Sequence, residues 1–231
     1  MEIKKYIILY IIIFPFVLLC KEFNYEVSIF GVYCADIKIN YTDTIFNNQN
    51  ALKIEYETKT RQEIEYFFFI DNKYTSIINI DNYNILSFYK KTKQPNVNNN
   101  ISTYYKNDSL FYSNDNQYFN NEYYNIFSLL YFLQTNSTNN QIKSLNFLER
   151  EGNIYNMKID TIQSFSKKKY LLSLELNNSL SKKPIYKNTD IFTWGLFLPN
   201  AKREIIVDPI NKIIISCKFS IGLINVKAKL K

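Results

Sequence analysis

Apolar and polar residues alternate along much of this chain. Phe23, Tyr25, Val27 and Ile29 are interleaved with Asn24, Glu26 and Ser28; Leu52, Ile54, Tyr56 and Thr58 with Lys53, Glu55, Glu57 and Lys59; Ile224, Val226, Ala228 and Leu230 with Asn225, Lys227 and Lys229. A pleated strand turns successive side chains to opposite faces, so each run predicts a strand with one apolar face. Asn/Asp clusters punctuate the runs at 47–50, 71–72, 81–82, 114–116 and 208–211. The chain has only 4 glycines, so Asn and Asp must supply the positive-φ positions of tight turns. Strands recurring about every ten residues with local turns predict an all-β domain built as an antiparallel meander.

One segment departs from the alternation. Between 122 and 134, Ile126, Leu129, Leu130 and Leu133 fall at helical spacing, and Asn125 is suited to capping the turn that follows. The spacing predicts one short helix near 122–134, laid over an edge or open end of the sheet. Its leucines and aromatics suit a plug for the core better than the wall of a ligand cavity.

The N-terminus has its own pattern. Glu2, Lys4 and Lys5 precede an uncharged apolar run over 6–19 that ends at Cys20. About fourteen residues, broken by Pro15, fall short of the roughly twenty that a spanning helix needs. A charged start followed by a short apolar run predicts an export signal over 1–20, leaving one β domain over 21–231 located in the periplasm or outer cell envelope. Cys20 is either a lipid acceptor or the last residue before cleavage. Leu19 is large where a lipoprotein site wants a small residue, and this favours plain cleavage. Without the signal's charges a net +6 remains, dispersed along the chain. That excess suits peripheral contact with an anionic membrane or polysaccharide, and export argues against nucleic acid as a partner.

Three stretches carry a resemblance to a known family. Residues 23–41, FNYEVSIFGVYCADIKINY, pair two strands across Gly31. Residues 125–134, NIFSLLYFLQ, follow an Asp-x-x-Ser-x-x-Tyr-x-x-Arg signature at Ser128 and Tyr131, with Asn125 and Gln134 at its normally charged ends. Thr193-Trp194, KREIIVDP (202–209) and FSIGLINVKAKL (219–230) form the finish. In this order the segments resemble the domain-of-unknown-function 3108 family of exported, mostly β bacterial proteins. The resemblance implies a strongly curved antiparallel meander, an open or half barrel similar to the half-barrel of periplasmic lipoprotein and lipid carriers, and no enzymatic activity. With amides replacing both charged ends, Asn125, Ser128, Tyr131 and Gln134 are expected to be structural.

Composition excludes several chemistries. The chain has no His, which removes Ser-His-Asp and Cys-His schemes and the commonest zinc sites. Its 3 cysteines cannot build a thiolate metal centre, and its scattered glycines form no phosphate loop. No catalytic residue, metal site or cofactor is expected. Carboxylate chemistry stays open through Glu149, Glu151, Asp190 and Asp208, which a glycosidase would set across a cleft. Strand parity places Cys34 with Asp36 and Lys38 on a polar face and Cys217 with Ile215 and Phe219 on an apolar one, so two free thiols are expected unless a bulge intervenes. Aromatic residues make up 17% of the chain, with a run at 66–69 that core filling would absorb more readily than a ligand surface. The leading expectation is a non-enzymatic envelope protein that binds or carries an apolar ligand such as a lipid, or docks another envelope component. A structural module with a filled core and a carbohydrate-active enzyme with paired carboxylates are the alternatives.

Overall fold

A computed structural model describes residues 20–231 except 108, 116, 121, 139–146 and 165; the expected export signal thus lies outside the described residues, apart from Cys20. Fourteen antiparallel strands form one curved, unclosed sheet. In chain order they are β1 (Cys20–Ile29), β2 (Val32–Phe46), β3 (Gln49–Thr60), β4 (Asp71–Asn79), β5 (Ile85–Gln94), β6 (Val97–Lys106), β7 (Ser109–Tyr112) and β8 (Tyr118–Asn120). Helix α1 (Ile126–Thr135) follows, then β9 (Phe147–Arg150), β10 (Asn153–Gln163), β11 (Lys168–Leu176), helix α2 (Ile191–Leu196), β12 (Lys202–Asp208), β13 (Ile213–Ile221) and β14 (Ile224–Leu230).

The first and last strands lie side by side in the middle of the sheet, with Tyr25 opposite Leu230 and Ile29 opposite Val226. From β1 the chain winds outward to the edge strand β8, crosses to the other edge at β9, and winds back to β14. Every neighbouring strand pair is therefore either a sequence neighbour or the β1–β14 pair.

The crossing carries α1 into the concave side. Asn125 caps it from an extended conformation: its Oδ1 accepts from Ser128 N at 2.8 Å, and Ser128 Oγ accepts from Asn125 N at 3.1 Å. This reciprocal box places the helix start at Ile126, later than the periodicity predicted, because the cap itself is extended. Phe127 then packs its ring 4.7 Å from Tyr56, 5.0 Å from Tyr74 and 6.0 Å from Phe88, centroid to centroid. Leu129 and Leu133 are fully buried, and Tyr170 donates to the Leu133 carbonyl at 3.3 Å. Farther along the helix, Tyr131 packs against Tyr41 and Tyr83. Gln134 is buried and accepts from the Tyr41 hydroxyl at 3.4 Å.

Turns occur at 47–48, 81–82, 114–115 and 209–211 as expected. Among the described residues of these turns only Asn47 and Asn48 supply the positive φ themselves; beside 81–82 and 208–211 it falls on Tyr83 and Lys212, and Asn96, Asn107 and Asn200 take it at other turns. Asp71 and Asn72 do not form a turn; they begin β4, and Asn72 is buried on its inner face. The connection is instead the loop over 61–70, which contains the aromatic run. Tyr66 and Phe67 are exposed there rather than packed in the core, because the loop lies beyond the end of the sheet. A second helix, α2, also escaped the sequence reading, since six residues are too few to show a helical period.

Cys34 corrects the parity argument. It is buried, because the β1–β2 register shifts after Val27: Val27 faces Ala35 and Ser28 faces Tyr33, leaving Cys34 as the extra residue of a bulge. Its thiol contacts the Val27 carbonyl at 3.4 Å. Cys20, Cys34 and Cys217 are all free thiols, and Cys20 lies exposed at the start of β1.

Replacing Phe127 removes the ring around which three strands and the helix meet. Phe127→Ala is expected to cost about 3–5 kcal/mol. The check is a urea titration in which the midpoint falls while the slope stays constant, showing lost stability without a change of fold.

Candidate functional site

Opposite α1's N-terminus, the inner faces of β4 and β5 turn polar. Asn72, Tyr74 and Ser76 on β4 and Lys90 and Thr92 on β5 are all buried. Lys90 is fully buried and sits where strand parity calls for an apolar residue, following Phe88 on the same face. Its Nζ contacts the Glu151 carboxylate, lies 2.6 Å from Asp190 Oδ2, and donates to Thr189 Oγ1 at 2.8 Å. Tyr74 donates to Asp190 Oδ1 at 2.8 Å and itself accepts from Asn72 Nδ2 at 3.0 Å. A buried ammonium is tolerable here only because two carboxylates and a hydroxyl surround it.

A third carboxyl lies beside this group. Glu149 accepts from the Tyr112 hydroxyl at 2.6 Å and from Gly152 N at 2.9 Å. Burial pushes its carboxyl up to about 7, against the lowering effect of those two hydrogen bonds. For Asp190, burial also works upward, but the Lys90 ammonium and the Thr193 hydrogen bonds outweigh it and leave its carboxyl below the usual range.

These contacts bring the two sheet edges together. Tyr112 belongs to β7, next to the edge strand β8; Glu149 belongs to the other edge strand, β9. Among the described residues, direct strand pairing at the seam is limited to a parallel bridge between Tyr124 and Leu148, with Glu149 N donating to Tyr124 O at 2.7 Å. The chain over 177–190 straps across the rest. Gln117 Nε2 donates to Lys183 O at 2.8 Å, Lys182 Nζ to Tyr118 O at 2.6 Å, and Asn99 Nδ2 to Asn188 O at 2.9 Å. Gly152 is required beneath the strap: its φ is +96°, and a Cβ there would lie 2.7 Å from Lys183 O.

The seam also positions α2. Asp190 caps this helix by accepting from Thr193 N at 2.9 Å, while its other oxygen faces Lys90. At the far end Arg203 bonds the carbonyls of Leu196, Leu198 (2.7 Å) and Ala201 (2.8 Å). Gly195 lets the helix lie directly on Phe219, whose ring would be 2.6 Å from a Cβ at that position. Between α1, α2 and the concave face of β1, β2 and β12–β14 is an apolar cavity of about 80 Å³, bordered by Tyr25, Val27, Leu130, Leu196, Phe219 and Ala228. Cys217 lines it too, and burial pushes its thiol up to about 12. A smaller space of about 30 Å³ touches Lys90, Glu149, Arg150 and Asn125.

Three of the four carboxylates named from sequence therefore converge, though around a lysine rather than across a cleft. The space beside them is too small for a sugar ring. Asp208 lies apart, accepting from Ile210 N at 2.9 Å and Asn211 N at 3.0 Å in the β12–β13 turn. Among the signature residues, Asn125 and Ser128 form the cap of α1, and Asn125 Nδ2 donates to Ser76 Oγ at 3.0 Å. Lys90, Tyr74 and Tyr112 escaped the sequence reading. The available signal was a lysine at an inward strand position; nothing marked its partners, which lie 61 and 100 residues away in the chain. No group of His, Cys, Asp and Glu suited to a metal occurs among the described residues.

No family model matches the chain, so the likeness to the domain-of-unknown-function 3108 family rests on motifs alone. No curated protein matches either. A solved structure, the β-barrel-like protein of domain of unknown function DUF1849 from Brucella abortus, is similar with a TM-score of 0.49 and 8% identity, over 93% of this chain and 96% of that one.

Two measurements probe the seam. The folded protein holds a proton on Glu149 that the unfolded chain releases near pH 4.5, so stability falls as pH rises from there to about 7. The loss amounts to about 3 kcal/mol, and Glu149→Gln is expected to flatten that part of a stability–pH profile. Asp190 acts in the opposite sense, its contribution being lost as pH falls through its depressed value. Lys90→Met strands two buried carboxylates and is expected to cost about 3–5 kcal/mol in denaturant unfolding at neutral pH.

Proposed function

We propose that this is a non-enzymatic, exported cell-envelope protein that takes a small apolar group into the cavity beneath α2. The apolar run over 6–19 supports export. The observation that carries the binding reading is the cavity itself: about 80 Å³ lined almost wholly by aliphatic and aromatic side chains, roofed by a helix of six residues. An apolar cavity of about 150 Å³ can hold benzene, so this one suits a smaller group such as the end of an acyl chain. A longer chain would enter only with α2 lifted from Phe219. Extensive filling of the interior by Phe127 and its ring neighbours favours a second reading, a structural module with a closed core.

Organic extraction and mass spectrometry of protein purified from its native envelope separate the two. An apolar molecule is expected to co-purify with the wild type and to be lost from Ala228→Phe, which fills the cavity wall. Circular dichroism and thermal melting establish that the variant is folded. Recovery of no apolar molecule from the wild type would leave the closed-core module.

A further inference from the structure

Large apolar side chains crowd the tips of three connections at one end of the sheet. Tyr66 is 94% exposed, Leu223 92%, Phe67 84%, and Phe30 and Val32 64% each. Pairing makes these tips neighbours. Phe30 N donates to Asn225 O at 3.0 Å, joining the β1–β2 hairpin to the start of β14 just past Leu223. On the other side Arg61 N donates to Cys34 O at 3.1 Å, bringing in the loop that carries Tyr66 and Phe67. The strands concerned, β13, β14, β1, β2 and β3, are consecutive in the sheet. At about 4.8 Å per strand they spread the tips over roughly 20 Å.

Turn geometry does not demand these residues. Five of the nine described non-glycine residues at positive φ are Asn, and the other aromatic among them, Tyr83, packs against Tyr131 and Phe132, whereas Phe30 holds φ 52° with its ring in solvent. A Cβ placed on Gly31 or Gly222 would have no described neighbour within 4 Å, so packing does not shape the tips either. An aromatic in a left-handed tip, facing solvent, is a cost to the isolated domain.

Behind the tips stand cations that have no carboxylate partner among the described residues. Lys218 and Lys227 face each other directly across β13 and β14, an unfavourable like-charge pair. Neither forms an ion pair with a described residue, and Glu204, beside Lys218, is engaged by Lys169 at 3.1 Å. Lys59 and Lys93, near the 61–70 loop, differ in flanking Asp71 of β4 in the strand register, and Lys93 also lies over the Phe69 ring. Glu63 and Glu65 precede the exposed rings, so at that loop the contact is apolar and the charge attraction comes from the strands.

We propose that this end docks on an anionic lipid bilayer, the tips entering the headgroup region while Lys218 and Lys227 meet lipid phosphates. Aromatic and aliphatic tips backed by lysine match the two demands of such a surface. Docking at this end does not depend on what the cavity holds.

Vesicle flotation with the protein in its native processed form tests it. The wild type is expected to bind vesicles containing phosphatidylglycerol more strongly than phosphatidylcholine alone, less so at high salt. Phe67→Asp combined with Leu223→Asp is expected to weaken binding at least about tenfold, two buried apolar side chains being lost. Lys218→Gln with Lys227→Gln should remove most of the preference for the anionic lipid. Both pairs lie outside the buried core, and melting temperature confirms folding. A wild type that ignores vesicles, one that binds an anionic polysaccharide instead, or tip variants that bind like wild type would each overturn the proposal; the cavity occupant is read separately by extraction.

Discussion

An open sheet whose two edges must meet without a full strand ladder depends on the side chains at the seam, and here Lys90 is their centre. Its ammonium joins β5 to the β9–β10 turn through Glu151 and to the entry of α2 through Asp190. Because Asp190 also caps α2, the position of the helix that roofs the cavity is set by the same ion pair. Tyr112 and Glu149 repeat the join from β7 to β9. The cavity, the strap over 177–190 and the order of the strand ends all follow from that closure.

The chemistry of the seam is costly and specific. A buried ion cluster is weak as a source of stability, since desolvation offsets much of the attraction, but it tolerates no loss of a partner. Lys90 meets two carboxylates and Thr189 at once, so the seam is joined from β5 to both the β9–β10 turn and the start of α2. The concave side divides accordingly: polar near β4, β5 and the seam, apolar toward β1, β14 and β12, with α1 packing against both through Asn125 at one end and its leucines along the length.

Much of the fold was legible residue by residue. Tyr25 and Val27 in β1 and Ile54 and Tyr56 in β3 are buried as their parity required, and Asn125 caps a helix where a capping residue preceded helical spacing. Apart from α2, too short to show a period, the failures share a physical cause, dependence on distant chain. Asn72 reads as a turn residue locally, yet it is buried beside Tyr74, which Asp190 engages from far along the sequence. Cys34 reads as outward until a bulge opposite Val27 turns it in. The run at 66–69 is hydrophobic enough for a core, yet Tyr66 and Phe67 stay exposed beyond the sheet while Phe68 and Phe69 are half-buried. Of the seam, Glu149, Glu151 and Asp190 were visible only as acids among many.

Alternation, turn residues and one helical period, all properties of neighbouring residues, determined from the sequence alone that this chain forms an antiparallel sheet with α1. Which strand is next to which at the β1–β14 junction, where the edges meet, why Lys90 can be buried, and that three apolar tips share one end were decided only by tertiary structure. Each depends on groups far apart in the chain coming within a few ångströms. Backbone periodicity carries no record of such distances, because burial and charge compensation arise only once the sheet has curved.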